Sequence, residues 1–346
     1  MIARLLSRSI ASRYLTVALA CVLPTVGSAT NSPIELRTQA ELLLTRLNGE
    51  FDSYPQQFFE QEYKTPPELV HRRVYRSFAR VDMPALGPEV LLATVRYGGK
   101  DGQLDPTETL LWVVTVDQER KAIRMSPRAP RDPRAAVEAL NDPARLSQLE
   151  IAASEPSGGP AGCDVWWRLQ GVQLVGMTDA TACTSVAKNT GGVLAWSWHW
   201  VLTDDELWIN FAGRTPEGDI AVGRPDQTHW RLGKAREFIC QLSYQPAAGA
   251  AVVTGPIHVH DRGGLHRWQI PTPRQPTPVF LQLARGMWPS NSGRNYLELL
   301  RLEVYEGRPE DPPDSWVAIG NSFASGASDR VGFVSPELSG HCQRPT

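Results

Sequence analysis

The stretch GCDVWWRLQGVQLVGMTDATAC, residues 162–183, places two cysteines around two short runs of alternating apolar and polar residues. Such alternation is typical of half-buried β-strands, and it predicts strands at Asp164–Leu169 and Val172–Met177. A redox pair is more typically CxxC, and a zinc site needs closer spacing or nearby histidines. The stretch therefore predicts a hairpin whose cysteines, Cys163 and Cys183, staple two strands of an antiparallel scaffold.

The first 29 residues have the layout of a secretory signal peptide. MIARLLSRSIASR is basic and free of acids, YLTVALACVL is apolar, and Gly27 to Ala29 offer small residues for cleavage. Cys21 offers the alternative of a lipoprotein anchor, but the apolar run continues beyond it. No other segment approaches the roughly 18 uninterrupted apolar residues of a membrane span. We expect an exported chain, periplasmic or extracellular, without a transmembrane segment after cleavage.

Four cysteines follow the predicted signal peptide, an even number in a compartment that favours disulfides. Four cysteines permit three pairings. Their separation favours Cys163–Cys183 within one hairpin and Cys240–Cys342 around the C-terminal part of the chain.

Many short strands separated by turn signals predict a mainly all-β chain. We expect an antiparallel lipocalin-like β-barrel, or calyx, over residues 30–240 and a smaller, disulfide-bracketed β-rich domain over 241–346. Further barrel strands are predicted at 70–81, 90–97, 109–116, 193–202 and 207–213, and helices at Ile34–Arg46 and within Pro133–Leu149. SPRAPRDPR (126–134) is predicted to be a crossing loop, because proline is excluded from strand interiors.

Composition and motifs exclude several function classes. The net charge of −2 provides no basic field for nucleic acid. No GxSxG, HExxH or GxxxxGK[ST] motif is present, which disfavours common hydrolase and nucleotide-binding chemistry. His258 and His260 alternate onto one strand face, near Asp261 and His266, but no third ligand is evident in register. We therefore predict no metal site and assign no catalytic residue.

Several segments are similar, in order, to the CpcT/CpeT family of bilin lyases. These are LLTRLNGEFDSYPQQ (43–57), HRRV (71–74), the cysteine-flanked stretch, the Trp198-to-Trp208 strand pair and IAVGRPDQTHWRL (220–232). Together they cover roughly residues 36–240, and their order and the cysteine spacing carry the resemblance. The positions that match are Phe51, Gln57, His71, Arg73, Cys163, Trp167, Gly176, Cys183 and Gly223.

The resemblance implies a calyx that holds a linear tetrapyrrole of the bilin type, without a required cofactor, and delivers it to a cysteine of an acceptor phycobiliprotein. The chain departs from the family at two central strands. Where the family has a Glu-Gln pair and an Arg-x-Arg-Val segment, this chain has Thr94–Val95 and Leu111–Val114. This departure favours an alternative function, a non-catalytic exported binding protein for a lipid or other apolar molecule. A structural envelope protein is a further alternative.

Two residue sets are candidates for ligand contact. His71 and Arg73 share one face of the predicted strand, and a guanidinium binds a carboxylate through paired donors. The alternative to ligand binding is that His71 and Arg73 face the solvent or form an ion pair with Asp52, Glu60 or Glu62. Tryptophans form the second set, with Trp167, Trp196 and Trp198 predicted to line an apolar wall; core packing is their alternative role.

Overall fold

The computed structural model describes residues 33–152, 162–186, 192–270, 277–290, 295–307 and 317–345. The predicted signal peptide, with Cys21, lies outside these ranges. Within the described ranges, no helix is both long and apolar enough to cross a bilayer.

The first part of the chain contains most of the strands and four helices. The strands are β1 (Gly49–Asp52), β2 (Val74–Val81), β3 (Val90–Tyr97), β4 (Gln103–Leu104), β5 (Leu110–Asp117), β6 (Ala122–Arg128), β7 (Val165–Gln170), β8 (Gln173–Thr178), β9 (Thr184–Val186), β10 (Val193–Leu202), β11 (Glu206–Arg214), β12 (Ile220–Gly223) and β13 (Trp230–Lys234). The helices are α1 (Pro33–Leu47), α2 (Tyr54–Glu62), α3 (Pro133–Glu138) and α4 (Pro143–Leu146), with 3-10 turns at Pro67–Leu69 and Pro106–Glu108.

Ten of these strands close an antiparallel barrel. Neighbouring strands follow the order β11-β13-β1-β2-β3-β5-β6-β7-β8-β10, and β10 pairs again with β11. The short strands β4, β9 and β12 extend the sheet from β3, β10 and β11. Closure removes the free strand edges, which are sites of aggregation in open sheets. The predicted antiparallel, lipocalin-like barrel is confirmed.

Helix α1 covers one end of the barrel. Leu43, Leu44 and Leu47 are fully buried in the same apolar core as the inward-facing residues of the strands. The Arg46 guanidinium donates to the Val172 carbonyl at 2.9 Å, in the turn between β7 and β8. The opposite end of the barrel, where β2 begins and β3 ends, is not covered by this helix.

The predicted loop at 126–134 is wrong in its first three residues, which belong to β6. Pro127 lies opposite Trp112 of β5, whereas pairing of β6 with β7 stops at Met125. Proline is tolerated here because this part of β6 has a neighbouring strand on one side only. The helix predicted within 133–149 is interrupted: Asp142 accepts hydrogen bonds from the backbone of Ala144 and begins a separate helix, α4.

The later strands form two smaller sheets. They are β14 (Glu237–Tyr244), β15 (Val252–Val253), β16 (Ile257–His260), β17 (Arg262–Ile270), β18 (Thr277–Pro289), β19 (Tyr296–Glu306), β20 (Val317–Ser325), β21 (Arg330–Val334) and β22 (Leu338–Gln343). One sheet contains β14–β16, β21 and β22, the other β17–β20, and both contribute to one apolar core. The predicted boundary between residues 240 and 241 falls within β14.

Both disulfides are present in the structure, Cys163–Cys183 and Cys240–Cys342. The first links the turn before β7 to the residue directly before β9, at the barrel end away from α1. The second joins directly opposed residues of β14 and β22. Both disulfides therefore connect neighbouring parts of the sheets, which fits a structural role.

Candidate functional site

Arg73 pairs with the carboxylate of Asp52. Its Nε donates to Asp52 Oδ1 at 2.9 Å and its Nη2 to Asp52 Oδ2 at 2.8 Å, and Nη2 also donates to the Gly263 carbonyl at 2.9 Å. Asp52 is fully buried. Arg73 thus forms the ion pair that was the alternative to ligand binding, and its contact with Gly263 connects the barrel to the C-terminal sheets.

His71 is likewise buried and paired. Its Nδ1 lies 2.6 Å from Glu60 Oε1, and its backbone N–H donates to Glu60 Oε2, also at 2.6 Å. Burial lowers the pKa of His71 below its ordinary value, although the Glu60 carboxylate opposes the shift. These contacts fasten α2 to the segment before β2. Both candidate anchors therefore pair with carboxylates of the protein itself.

The predicted tryptophan wall divides into a buried group and a rim residue. Trp167 packs edge-on against Trp200 with centroids 5.7 Å apart, and Trp198 packs against Trp112 at 5.6 Å. Trp196 lies nearer the rim, where its Nε1 donates to Ser185 Oγ at 2.8 Å. Trp112, Trp167, Trp198 and Trp200 form what we call the tryptophan cluster, inside the barrel. Ligand contact by Trp167, Trp196 and Trp198 remains a prediction.

A cleft opens into the barrel near the end opposite α1. It is lined by Val74, Arg76, Val95, Tyr97, Glu108, Ile209, Phe211, Trp230 and Leu232. The cavity volume of the cleft is about 20 Å³, which is room for about one water molecule. This volume is far below the roughly 300–1,000 Å³ of ordinary ligand pockets. Its walls are mainly apolar, with a few polar side chains, which is the usual composition of such pockets.

Arg76 is the central polar residue of this cleft. It is only 7% exposed, pairs with the Glu108 carboxylate, and places its guanidinium carbon 5.3 Å from the Trp200 ring centroid. Its Nε has no hydrogen-bond partner among the described residues. The same holds for the indole Nε1 of Trp112, Trp167 and Trp200. Buried donors normally have a hydrogen-bond partner. These donors in the barrel interior could therefore bind a molecule that supplies acceptor atoms.

Tyr97 and Glu108 complete the polar side of the cleft. The Tyr97 hydroxyl donates to Glu108 Oε1 at 3.5 Å. Burial and the Glu108 charge raise the pKa of Tyr97 to about 12, so the phenol is neutral near pH 7. The cleft thus offers one guanidinium, one carboxylate and one neutral hydroxyl against apolar walls. This arrangement can hold the polar head of an otherwise apolar molecule.

The sequence contains a signal for Arg76 that the prediction did not use. In β2, Val74, Arg76 and Phe78 share one face by the period of two, and Val74 and Phe78 are apolar. A charged residue between two apolar ones on an inward face marks a barrel interior site. No comparable signal marks Glu108, which reaches the cleft from a 3-10 turn before β5.

The C-terminal sheets contact the outer face of β1 and β2 through buried charges. We call this set of residues the junction: Asp52, Arg73, His260, Asp261, Arg262 and Arg285, all buried or nearly so. His260 packs on Tyr75 at 5.9 Å, and its Nε2 lies 3.8 Å from Asp52 Oδ2. His258, by contrast, is exposed and pairs with Glu237 at 2.9 Å. Within the described ranges, no three His, Cys, Asp or Glu side chains are grouped as for a metal.

His260 is expected to make the protein less stable in acid. Burial first, then the nearby Arg73, Lys100 and Arg262, lower its pKa to about 3. A histidine in the unfolded chain has a pKa of about 6.5, so the unfolded state takes up a proton first as the pH falls. The contribution of the neutral His260 side chain to the free energy of unfolding is complete above pH 6.5. It falls by up to about 1.4 kcal/mol per pH unit as the pH is lowered toward 3.

The measurement is urea unfolding at several pH values between 7 and 4.5, compared between the wild type and His260→Gln. Other groups also titrate in this range, so the difference between the two curves is the informative quantity. His258→Gln, on the same strand but exposed, is the matched control. Parallel curves for wild type and His260→Gln would contradict the expectation.

Comparisons with known proteins give limited matches. No protein-family model matches the chain. The large ribosomal subunit protein uL13 of Aeropyrum pernix is 41% identical over 46 residues, which are 13% of this chain and only 30% of that protein. Similar solved structures include the following two. The CRL protein of Arabidopsis has a TM-score of 0.38 and 16% identity, covering 57% of this chain and 98% of that one.

The second similar structure is the T-type phycobiliprotein lyase CpeT from Prochlorococcus phage P-HM1. It has a TM-score of 0.31 and 11% identity, covering 56% of this chain and 96% of that one. At these identities and TM-scores, neither likeness supports a conclusion about this chain. The barrel assignment rests on the strand pairings, and membership of the CpcT/CpeT family stays a prediction.

Proposed function

We propose that the barrel binds a flat, apolar molecule that carries a carboxylate, without itself transforming it. The observation that carries this proposal is Arg76, a buried guanidinium in an apolar cleft whose Nε has no acceptor among the described residues. A guanidinium donates to a carboxylate through paired hydrogen bonds, which are about twice as strong as neutral ones. The carboxylate would meet Arg76, and the apolar body would lie against Phe211 and Trp230 at the mouth.

A bilin-type tetrapyrrole is the specific ligand that the family resemblance predicts. Its conjugated body and propionate carboxylates match the apolar walls and Arg76. The cleft is far smaller than ordinary ligand pockets, so the side chains at its mouth would have to move apart to admit the carboxylate end, and the body of the molecule would stay at the mouth. A fatty acid has the same two chemical parts in a narrower form.

Export is part of this proposal, because both disulfides are compatible with an oxidising compartment.

Arg76→Gln is expected to weaken binding by roughly 10- to 100-fold, because a hydrogen bond to a charged group contributes about 1.5–3 kcal/mol. Absorbance titration with biliverdin and fluorescence titration with a conjugated fatty acid measure this loss. Arg80→Gln is the matched control. Arg80 lies on the same strand, but it is half-exposed and pairs with Glu41 and Glu89 at the α1 end.

Saturable binding by the wild type and by Arg80→Gln, with loss in Arg76→Gln, supports the proposal. Failure of both probes to bind the wild type would overturn it. Biliverdin binding alone favours the chromophore ligand of the resemblance over a lipid. Transfer to an acceptor protein, the lyase step, is a separate property, read as chromophore that stays on a phycobiliprotein after denaturation.

A further inference from the structure

Each of the two C-terminal sheets ends in a strand that has, within the described ranges, a paired neighbour on one side only. These strands are β20 in the sheet β17–β20 and β21 in the other sheet. Only residues 326–329 separate β20 from β21 along the chain, so the two free edges lie close together at this turn. A groove there is lined by residues 322–324, 330–332 and 341–343, and its cavity volume is about 490 Å³. Unlike the barrel cleft, it lies within the roughly 300–1,000 Å³ of ordinary ligand pockets.

The register of β20 shows which of its backbone groups point to the free edge. The Gly326 N–H donates to the Glu298 carbonyl at 2.8 Å, one residue beyond the last pair of β19 and β20. Hydrogen-bonded and non-hydrogen-bonded pairs alternate along an antiparallel ladder. The N–H and C=O groups of Asn321 and Phe323 therefore point away from β19, where a further strand could pair with them.

Strand β21 brings backbone groups to the same groove. The Arg344 N–H donates to the Asp329 carbonyl at 2.9 Å, one residue before the first pair of β21 and β22. By the same alternation, the N–H and C=O groups of Gly332 point away from β22. Phe323 and Gly332 both line the groove, so backbone donors and acceptors of two strand edges border one space.

The edge of β20 lacks the usual protection against a further strand. Exposed edges in natural proteins commonly carry charges, proline or a bulge that prevents pairing with another chain. The sequence of β20, VAIGNSFAS, contains no charged residue and no proline. The register shift between β20 and β19, at Val304 and Tyr305, lies at the end of β20 away from the groove. The Phe323 side chain is 53% exposed and available for apolar contact.

The charge of the groove indicates what kind of strand it would accept. Arg330 and His341 are exposed in its lining, which contains no aspartate or glutamate. The neighbouring carboxylate of Asp329 already pairs with Arg344 at 3.1 Å. Among the described residues, no ion pair engages Arg330. A carboxylate that entered the groove would therefore meet a guanidinium with free donors, which is its preferred partner.

We propose that the groove binds an extended acidic peptide of another protein, which adds as a strand to β20 and places a carboxylate against Arg330. In strand addition, main-chain hydrogen bonds provide affinity and side-chain contacts provide specificity. The β20 edge of a second copy of this chain would bring no carboxylate, because VAIGNSFAS contains no acidic residue. The charge of the groove therefore favours a peptide over a second copy. The groove is separate from the barrel cleft, so this proposal does not depend on the proposed function.

The test starts with a phage-displayed library of random octapeptides, selected on the intact, disulfide-bonded protein. We expect enrichment of peptides that combine an acidic residue with residues of high β-propensity. Enriched peptides, made with a fluorescent label, are titrated by anisotropy. Phe323→Ala keeps the backbone N–H at the free edge, whereas Phe323→Pro removes it at a position where an edge strand tolerates proline. Phe323→Pro should bind at least about fivefold more weakly than Phe323→Ala, and Arg330→Gln roughly 3- to 10-fold more weakly than the wild type.

Arg267→Gln is the matched control, because Arg267 is exposed on β17, the opposite edge strand of the same sheet. It should bind the peptides like the wild type. Circular dichroism and urea unfolding establish that each variant is folded. In hydrogen exchange, bound peptide should slow exchange of the amides of Phe323 and Gly332. Biliverdin titration of Phe323→Pro should match the wild type.

Three results would overturn the proposal. The first is that no peptide is enriched above background, and the second is that Phe323→Pro binds as tightly as Phe323→Ala. The third is a concentration-dependent dimer in light scattering that Phe323→Pro abolishes, which would assign the edge to a second copy. Unchanged binding by Arg330→Gln would reject the acidic character of the peptide.

Discussion

Asp261→Ala is expected to lower the free energy of unfolding by about 3–5 kcal/mol, the usual cost of breaking a buried ion pair from one side. Asp261 is fully buried in the turn between β16 and β17. Its Oδ2 lies 2.6 Å from Arg236 Nε and 2.9 Å from Arg285 Nε, and its Oδ1 accepts from the Arg236 backbone at 2.8 Å. Removal leaves the guanidinium groups of Arg236 and Arg285 without their shared carboxylate.

The other contacts of these arginines cannot replace the lost charge. Arg285 retains an ion pair with Glu298 at 3.4 Å and a hydrogen bond to the Lys234 carbonyl at 3.1 Å. The buried Arg262 lies beside it, and burial together with the Arg285 charge lowers the pKa of Arg262 to about 10. Like charges already repel in the junction, so loss of the Asp261 carboxylate has a large effect.

Urea unfolding followed by circular dichroism measures this effect. Asp329→Ala is the matched control, because Asp329 pairs with Arg344 at 3.1 Å on the surface of the same sheets. Exposed ion pairs contribute about 0–1 kcal/mol, so this variant should resemble the wild type. Asp261→Asn keeps an accepting oxygen and should lose less than Asp261→Ala. Equal, small losses at positions 261 and 329 would show that the junction carries little stability.

The sequence was most informative where structure is local. The strands at 90–97 and 193–202 were predicted with the bounds that the structure has, because alternation along one strand depends only on neighbouring residues. Strand β1 was missed. It has only four residues and begins at Gly49, whose φ of 128° turns the chain away from the direction of α1. Its pairing with β13 involves residues far along the chain, which no local pattern shows.

The candidate sites show the same limit. Period two predicted that His71 and Arg73 share one strand face, but strand β2 begins only at Val74, after both residues. The inward face of β2 carries Arg76 between Val74 and Phe78. The contact between His199 and His229 depends on the segment before β13 folding back over the outer face, which no local pattern shows. Sequence patterns therefore could not predict the side-chain contacts that only tertiary folding creates.

Replacing both Cys240 and Cys342 by alanine is expected to lower the free energy of unfolding by about 4–5 kcal/mol, if chain entropy dominates. The disulfide closes a loop of 102 residues, whereas Cys163–Cys183 closes one of 20, and its removal should cost only about 3 kcal/mol. All four sulfurs belong to buried residues, so alanine leaves no polar group behind.

The structure gives a further reason why removal of Cys240–Cys342 should cost more stability than removal of Cys163–Cys183. Within the Cys163–Cys183 loop, β7 and β8 already pair as a local hairpin, so that loop is partly closed without the disulfide. Cys240 and Cys342 instead join β14 and β22, the first and last strands of the C-terminal sheets. Urea unfolding of the two double variants compares them directly. A greater loss from the Cys163–Cys183 variant would show that local strain or packing, rather than loop length, determines what each disulfide contributes.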